Sequence, residues 1–327
     1  MVRLPAASDW NDRMASRSLY AVVLGALSGV AVGAFPALQP RSRPPEITFI
    51  PRTSGTLPTE AMHRGANRAA REAGFRLYWN APTREDDVDR QILLMSGALH
   101  SDTKGLILGP TNGSALTTKI NQFVARRIPV VVVQTETPIP ASRSITSVAP
   151  DQNQISKLAA ERILGALGAG GEVGILGLDR TAPETLERSR NFVTRMSGHP
   201  AIRIVAQQRG TSLVPEAEQN AGEMLDRFPR LKALFAVSAT ATEGAILAIQ
   251  QRGLGHAIVL VGCDDYLFLR TDLRAGRVDS VVVSDSDQMG YLAARSLLDA
   301  IEGHALPQPQ HISARLLTRD NVDAQDP

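Results

Sequence analysis

Residues 105–133 read GLILGPTNGSALTTKINQFVARRIPVVVV and combine a short apolar run, a helix-forming segment and a run of valines. The four consecutive valines Val130–Val133 have no polar face, which indicates a strand covered on both sides, as in a parallel sheet. The segment between the two apolar runs, residues 114–127, has the length and pattern of a helix. Strand, helix and strand in this order predict a right-handed β-α-β unit.

The same alternation of strand-like and helix-like segments extends along most of the chain. The predicted strands are 47–50, 75–79, 105–108, 129–133, 173–176, 202–206, 233–237, 257–261 and 278–283. The predicted helices are 59–73, 86–99, 114–127, 152–167, 184–196, 216–227, 242–252 and 287–301. One compact doubly wound sheet rarely needs so many strands, so the pattern predicts an α/β fold with two parallel-sheet lobes.

An uncharged apolar segment lies near the start of the chain, where residues 19–34 read LYAVVLGALSGVAVGA. Arg13 and Arg17 precede it and small residues end it, which is typical of a secretory signal. Continued to residue 38, the segment is long enough to span a bilayer as a helix. Residues 1–45 are therefore predicted to be a signal peptide or a membrane anchor with a proline-rich linker. The remainder is predicted to be periplasmic or extracytoplasmic, either released or tethered by residues 19–38.

The composition excludes several classes of function. The chain has 327 residues, enough for two domains, and its 35 Lys and Arg residues nearly balance 33 Asp and Glu residues. Nucleic-acid binding needs clustered basic residues, which the sequence lacks. The single cysteine, Cys263, excludes an internal disulfide, and the six histidines show no metal-ligand spacing. Because no nucleophile or dinucleotide motif is found either, we expect no catalysis, no cofactor and no metal.

Polar side chains dominate the loops that follow the predicted strands. Ligands of parallel α/β sheets bind beyond the carboxyl ends of the strands, where such loops lead into helices. The loops of this chain carry hydroxyls, amides, carboxylates and a few arginines, which suit a neutral or zwitterionic polar solute. They are residues 51–58, 80–84, 109–113, 134–140, 177–183, 238–241, 264–266 and 284–287.

Several segments, in their order along the chain, resemble the type I periplasmic sugar-binding family, which includes the ribose-binding proteins. This family shares its fold with the effector domains of lac-repressor-type regulators. The segments are MHRGANRAAREAGF, GLILGPTNGSAL, RRIPVVVV, SVAPDQNQISKLAAERI, LFAVSATATEGAILAIQQRG, IVLVGCDD and DQMGYLAARSLLDAIEG. The resemblance extends over residues 46–321. The order and spacing of these segments are more specific for the fold than for the ligand.

The resemblance implies two doubly wound parallel-sheet lobes that are joined by a three-strand hinge. An N-terminal lobe would comprise residues 46–147 with 285–311, and a C-terminal lobe residues 148–284 with 312–327. The implied function is that of a solute-binding protein, which closes around a small polar ligand such as a sugar and delivers it to an ABC transporter. The implied partner is the membrane permease of that transporter, and the chain is expected to be a monomer.

The resemblance also implies ligand-binding residues. Asp264 stands where the family binds sugar hydroxyls with a carboxylate, and Asn112 stands at a position held by aspartate or asparagine. Thr56, Ser238 and Ser284 stand where asparagine or glutamine is common. Asn112 has a second interpretation, as the residue that turns the chain before the next helix.

Some positions depart from the family pattern. The first cleft loop lacks paired aromatics, Thr135 and Leu186 occupy positions of family arginines, and Ala239 replaces an aspartate. Asp265 is expected to cap the helix that follows it. The ligand chemistry is therefore expected to differ from that of the ribose binders. The further candidate ligand-binding residues on the cleft loops are Arg52, Asn80, Thr135, Arg180 and Tyr266.

Three other classes of function are alternatives to transport: a membrane-anchored sensor, a DNA-binding regulator and an enzyme. In a membrane-anchored sensor, residues 19–38 would be retained and closure of the lobes would signal to a membrane partner. A DNA-binding regulator needs a helix-turn-helix before the first lobe, but the apolar segment occupies that place, so this class is excluded. No set of catalytic residues supports an enzyme on this fold.

Overall fold

The computed structural model describes residues 43–324, apart from residues 181, 212 and 256. The predicted signal or anchor at residues 19–38 lies outside the described residues. Within the described ranges, no helix combines the length and the apolar character that crossing a membrane requires.

A first six-stranded sheet forms the N-terminal lobe, and all its strand pairs are parallel. Its strands are β1 (Glu46–Ile50), β2 (Arg76–Trp79), β3 (Leu106–Leu108), β4 (Val130–Val133), β5 (Ile145–Pro150) and β11 (Gln310–Ile312), in the spatial order β11-β5-β4-β3-β1-β2. Helices α1 (Leu57–Glu72) and α9 (Ser286–Ile301) pack on one face, and α2 (Val88–Leu99) and α3 (Gly113–Ala125) pack on the other.

A second six-stranded sheet forms the C-terminal lobe in the spatial order β12-β10-β9-β8-β6-β7. Its strands are β6 (Gly171–Leu178), β7 (Ile202–Arg209), β8 (Leu231–Ala236), β9 (Val259–Cys263), β10 (Ser280–Ser284) and β12 (Ala314–Thr318). Helices α4 (Gln152–Leu167) and α5 (Pro183–Met196) cover one face, and α6 (Val214–Arg227), α7 (Ala239–Gln251) and α8 (Leu267–Arg274) cover the other. The predicted pair of lobes is confirmed, with one addition: the edge strand β12 is antiparallel to β10.

The valine run of β4 lies in two cores at once. Val131 and Val133 pack in the core beneath α1 and α9, whereas Val130 and Val132 pack in the core beneath α2 and α3. All four side chains are fully buried. Successive side chains of a strand point to opposite faces, so only a strand without polar positions satisfies a sheet that helices cover on both sides.

The chain passes between the two sheets at three crossovers, each a single residue long. Asp151 joins β5 to α4, Asp285 joins β10 to α9, and Ser313 joins β11 to β12. Both aspartates cap the helix that follows: Oδ1 of Asp151 accepts a hydrogen bond from the backbone N–H of Gln154 at 2.9 Å, and Oδ1 of Asp285 accepts one from Gln288 at 2.8 Å. The Asp151 and Asp285 crossovers are thus fixed to α4 and α9, the helices that they begin.

The positions of the crossovers correct the boundaries expected from the sequence. Strand β5 stays in the first sheet as far as Pro150, so the boundary expected after Ser147 falls inside this strand. Ile312 also belongs to the first sheet, where it pairs with Pro150. The expected boundary after Ser284 coincides with the end of β10. Strand β5 was not predicted because its sequence, ITSVAP, mixes hydroxyls and a proline with the apolar residues.

Helices α1 and α9 cross at two glycines, which permits a very close approach of their backbones. A Cβ atom on Gly65 would lie 1.9 Å from the carbonyl oxygen of Asp287, and a Cβ atom on Gly290 would lie 2.0 Å from that of Met62. Helix α9 returns to the N-terminal lobe after the long excursion of the chain through the second sheet. The crossing therefore holds α1 and α9 together, although they are distant in sequence.

We expect Gly65→Ala to lower the free energy of unfolding by about 1–3 kcal/mol, because the new methyl group forces the two helices apart. The matched control is Gly97→Ala on α2, where an added Cβ has no heavy atom within 4 Å. The control should leave stability unchanged or raise it by up to about 1 kcal/mol, since alanine favours the helix. Urea unfolding followed by circular dichroism measures both. Equal midpoints for the two variants would contradict the role of the crossing.

Candidate functional site

A cavity of about 310 Å³ lies between the lobes, where the carboxyl ends of strands from both sheets meet. Parallel α/β sheets bind their ligands at this end of the strands. The cavity is therefore the candidate ligand site, and it is called the cleft below. The predicted site residues that line the cleft are Arg52, Asn112, Ser238, Asp264, Tyr266 and Ser284.

Four other predicted site residues do not line the cleft, namely Thr56, Asn80, Thr135 and Arg180. Thr56 caps α1, where its Oγ1 accepts a hydrogen bond from the backbone N–H of Thr59 at 3.3 Å. Asn80 donates from Nδ2 to the hydroxyl of Tyr78 at 3.0 Å. Arg180 has an exposed side chain. The structure thus gives Thr56 and Asn80 local roles, and their binding of ligand stays a prediction, as does that of Arg180.

Asp264 follows β9 directly and has a backbone φ of 71°, in the left-handed region that residues other than glycine seldom adopt. Its backbone N–H donates to the carbonyl oxygen of Val282 at 2.9 Å, which fixes this conformation. Its carboxylate lies 3.2 Å from Nη1 of Arg188 and is partly exposed in the cleft. Strained backbone of this kind clusters at functional sites, which agrees with the predicted role of Asp264.

Arg188 is the arginine that sequence reasoning missed. It lies on α5 with its side chain 4% exposed. Besides Asp264, it contacts Oε1 of Gln152, to which Nε donates at 2.6 Å, and the carbonyl oxygen of Val237, to which Nη1 donates at 2.8 Å. Burial alone would lower the pKa of this guanidinium, but the charge of Asp264 outweighs burial and raises it. The cleft therefore contains a permanent, rigidly held positive charge.

A signal for Arg188 was present in the sequence. The resemblance to the family placed an arginine at position 186, which is leucine in this chain and is only partly buried. The buried residues Thr185, Ser189 and Phe192 share with Arg188 the three- and four-residue spacing of one helical face. An arginine on the inward face of an amphipathic helix needs a polar partner inside the protein, and this requirement identifies Arg188 without the structure.

Gln134 occupies in the first sheet the place that Asp264 occupies in the second. It follows β4 directly, has a φ of 72°, and donates its backbone N–H to the carbonyl oxygen of Val148 at 3.2 Å. Its side-chain Oε1 is buried and has no hydrogen-bond partner among the described residues. Since Gln134 lines the cleft, this amide is a candidate ligand contact. The sequence prediction selected its neighbour Thr135 instead.

Asn112 and Ser238 are equivalent caps in the two lobes. Oδ1 of Asn112 accepts a hydrogen bond from the N–H of Ala115 at 3.0 Å, and Oγ of Ser238 accepts one from Ala241 at 3.2 Å. Capping uses an acceptor of each side chain and leaves the amide and hydroxyl protons as donors. The capping interpretation of Asn112 is confirmed, and because the residue also lines the cleft, its binding of ligand stays a compatible prediction.

The expectation that Asp265 caps the next helix is wrong. Helix α8 begins after Tyr266, and no side chain caps it. The carboxylate of Asp265 instead accepts two hydrogen bonds from Arg270, at 2.7 and 2.5 Å. This bidentate pair forms because Arg270 lies one turn into α8 and reaches back over the start of the helix.

Among the described residues, three side-chain hydrogen bonds connect the lobes across the cleft; two involve Glu184 and one involves Tyr266. Glu184 of the C-terminal lobe accepts hydrogen bonds from Nη2 of Arg52 at 3.4 Å and from Oγ1 of Thr135 at 3.3 Å. The hydroxyl of Tyr266, also in the C-terminal lobe, donates to Oε1 of Glu85 at 2.5 Å. Burial and the Glu85 carboxylate raise the pKa of the Tyr266 hydroxyl, which keeps it a neutral donor.

The two arginines that line the cleft each lie against a carboxylate. Arg52 lies against Glu184, and Arg188 lies against Asp264. Each guanidinium thus has a carboxylate partner within 4 Å, and neither is left to attract an anionic ligand. Further carboxylates also line the cleft, namely Glu85, Asp86, Asp179 and Asp265. The arrangement disfavours an anionic ligand and offers acceptors to ligand groups that donate hydrogen bonds, such as hydroxyls.

A surface group of possible metal ligands lies outside the cleft. The ligand atoms of Asp299, Glu302 and His304 lie within 4.8 Å of one another near the end of α9. Asp299 is also an ion-pair partner of Arg295, at 3.3 Å. Exposed acidic groups commonly form such arrangements without metal, so the prediction of no metal site stays a prediction.

The family model for the periplasmic binding protein domain matches residues 47–305 of the chain. The D-ribose/D-allose-binding protein of Pseudomonas aeruginosa is 25% identical over 307 residues, which cover 91% of this chain and 94% of that protein. The D-apiose import binding protein of Actinobacillus succinogenes is 24% identical over 213 residues, which cover 65% of this chain and 67% of that protein.

Solved structures agree with the fold. The periplasmic component of an ABC-type sugar transport system from Hahella chejuensis is 28% identical and has a TM-score of 0.75, covering 83% of this chain and 99% of that one. A solute-binding protein of an ABC transporter from Agrobacterium vitis, bound with α-D-tagatopyranose, is 20% identical and has a TM-score of 0.78, covering 86% of this chain and 96% of that one. At 20% identity, the similarity to the Agrobacterium vitis structure shows a shared fold.

The reactivity of the Cys263 thiol reports whether water reaches the floor of the cleft, because this residue directly precedes Asp264. Its side chain is fully buried, and burial raises the pKa of its thiol to about 12. We expect Ellman's reagent to label less than about one tenth of the folded protein at pH 8, because a neutral, enclosed thiol is not a nucleophile. Full labelling is expected in urea. Fast labelling of the folded protein would contradict the packing around β9.

Proposed function

Because the chain belongs to the periplasmic binding protein domain family, we propose that it is an extracytoplasmic solute-binding protein whose lobes close around a sugar-like ligand for delivery to an ABC transporter. The observation that carries this proposal is the cleft between the two sheets, with Asp264 and Arg188 held at one wall. Its volume of about 310 Å³ is at the lower end of the range for small-molecule sites, which suits a monosaccharide.

The side chains of the cleft support a polyhydroxylated ligand. Sugar hydroxyls donate and accept, and the cleft offers a carboxylate on Asp264, a guanidinium on Arg188 and a buried amide oxygen on Gln134 that has no hydrogen-bond partner in the part of the chain that the structure describes. Among the described residues that line the cleft, Tyr266 supplies the aromatic ring. We therefore expect hydrogen bonds to contribute more to recognition than ring stacking. In this respect the cleft would differ from the ribose binders, whose paired aromatics this chain lacks.

The relatives support a binding protein without catalytic activity. Those reported above are named as binding proteins for ribose and allose or for apiose, and the matched structures come from sugar transport systems or ABC transporters. The proposed partner is the membrane permease of an ABC transporter. The protein is proposed to act as a monomer, since each lobe supplies its share of the cleft within one chain.

A thermal-shift screen over sugars, polyols and nucleosides tests the ligand class. We expect one compound to stabilise the protein, by about 2.7 kcal/mol at a concentration one hundred times its Kd. Asp264→Ala should remove at least about half of this shift, since losing a charged hydrogen-bond partner weakens binding by roughly tenfold or more. The matched control is Asp226→Ala, which breaks a similar pair with Arg252 that does not line the cleft. An unchanged shift in Asp264→Ala would refute the role of Asp264.

A second candidate function is a membrane-anchored sensor, because the uncharged run of residues 19–38 is long enough to span a bilayer. Mass spectrometry of the N-terminus of the protein isolated from its native membrane compartment separates the two functions. For transport, we expect a mature chain that lacks residues 19–34, since a released or exchangeable binding protein must leave the export signal behind. A chain that retains this segment would favour the sensor.

A further inference from the structure

Each of the two flanks of the cleft is bridged by a contact between side chains of the two lobes. On one flank, Glu184 bridges to Arg52 and Thr135 of the N-terminal lobe. The side chain of Glu184 is 10% exposed, and Thr135 is buried. This flank borders a groove that includes Asp151 of the first crossover, so the contact lies near the hinge. We call it the Glu184 clasp.

On the other flank, Tyr266 donates its hydroxyl to Glu85 at 2.5 Å. This contact borders a second groove, which is lined by Arg84 and Glu85 of the N-terminal lobe and by Leu213 and Phe268 of the C-terminal lobe. We call it the Tyr266 clasp. The cleft is thus bracketed by contacts between the lobes on two sides, with the ligand cavity between them.

The chemistry of both clasps favours the closed arrangement. Each includes a carboxylate that accepts from the opposite lobe, and a hydrogen bond to a carboxylate is stronger than one between neutral groups, most of all at the 2.5 Å between Tyr266 and Glu85. Glu184 lies in the first turn of α5, where the helix dipole stabilises its negative charge. Arg52 is held in place by a further hydrogen bond, from its Nε to the carbonyl oxygen of Pro110 at 3.1 Å.

The Glu184 clasp coincides with a departure of this chain from the resemblance described above. The family pattern has an arginine at position 135, where this chain has threonine. A threonine cannot reach a ligand as a long cation does, and here its hydroxyl is instead directed to Glu184. Position 135 therefore serves contact between the lobes in this chain.

We infer that Glu184 and Tyr266 are positioning residues that hold the lobes closed in the absence of ligand. Ligand entry then requires both clasps to open, and the free energy of closure is supplied partly by the protein itself. This inference concerns the same cleft as the proposed function, but it makes a statement about the ligand-free protein and is tested without ligand.

The test is the distance between two spin labels, measured by double electron–electron resonance in the full-length, ligand-free protein. Denaturation and refolding before labelling remove any ligand carried over from the cells. Leu93→Cys on α2 and Gln219→Cys on α6 supply exposed sites in different lobes, and the buried Cys263 stays unlabelled. We expect one main distance, which matches the structure. Adding Glu184→Gln and Tyr266→Phe should lower the closed-to-open ratio roughly tenfold, with a longer distance appearing.

The matched control is Glu187→Gln, which removes the same charge from the same helix. Among the described residues Glu187 has no hydrogen bond or ion pair, so this variant should leave the distance distribution unchanged. A longer main distance already in the parent protein, or identical distributions with and without the clasps, would overturn the inference. Thermal unfolding confirms that each variant is folded, and Tyr266→Phe alone provides a milder change that removes one hydroxyl.

Failure of this inference and failure of the proposed function are distinguishable. An open ligand-free protein that is still stabilised by a sugar would refute the clasps and leave the proposed function intact. A closed ligand-free protein that no sugar, polyol or nucleoside stabilises would refute the proposed ligand class and leave the clasps intact.

Discussion

The shortness of the three crossovers is the constraint on which the cleft depends. Asp151, Asp285 and Ser313 each link one sheet to the other without an intervening loop. A single residue contributes only two soft dihedrals, so three such links side by side restrict the lobes to rotation about a common axis. Because two of the links also cap a helix, the axis is rigidly connected to both lobes. The carboxyl ends of the two sheets consequently face one another, and loops from either side share one cavity.

Within that cavity, the buried charges have two roles. Arg188 is enclosed by Gln152, the carbonyl of Val237 and Asp264, so its position does not depend on a ligand. Arg52 and Glu184 satisfy each other across the gap. Buried charges without partners are costly, and these pairs remove that cost while leaving acceptors and donors at the cavity surface. The result is a polar site that is organised in advance and has little attraction for anions.

The sequence was sufficient for the general fold because the fold depends on coarse patterns. A run such as Val130–Val133 has no polar position, and only a strand covered on both faces accommodates it. Elements without such a pattern escaped prediction: β12 pairs antiparallel at a sheet edge, and α8 spans only Leu267–Arg274. Six of the predicted site residues do line the cleft, since strand-end loops converge there whatever their composition. Gln134 and Arg188 were missed because their roles follow from backbone conformation and helical phase, which residue type alone does not reveal.

The crossing of α1 and α9 at Gly65 and Gly290 has a consequence for the order in which the chain acquires structure. The first sheet lacks β11 and its covering helix α9 until residue 312 is available, although its other strands all precede residue 151. The whole second sheet, apart from β12, is made in the interval. The N-terminal lobe therefore cannot be completed until almost the whole chain has been made. In this nested order, the face of the first sheet against which α9 packs stays uncovered until residues 286–301 have been made.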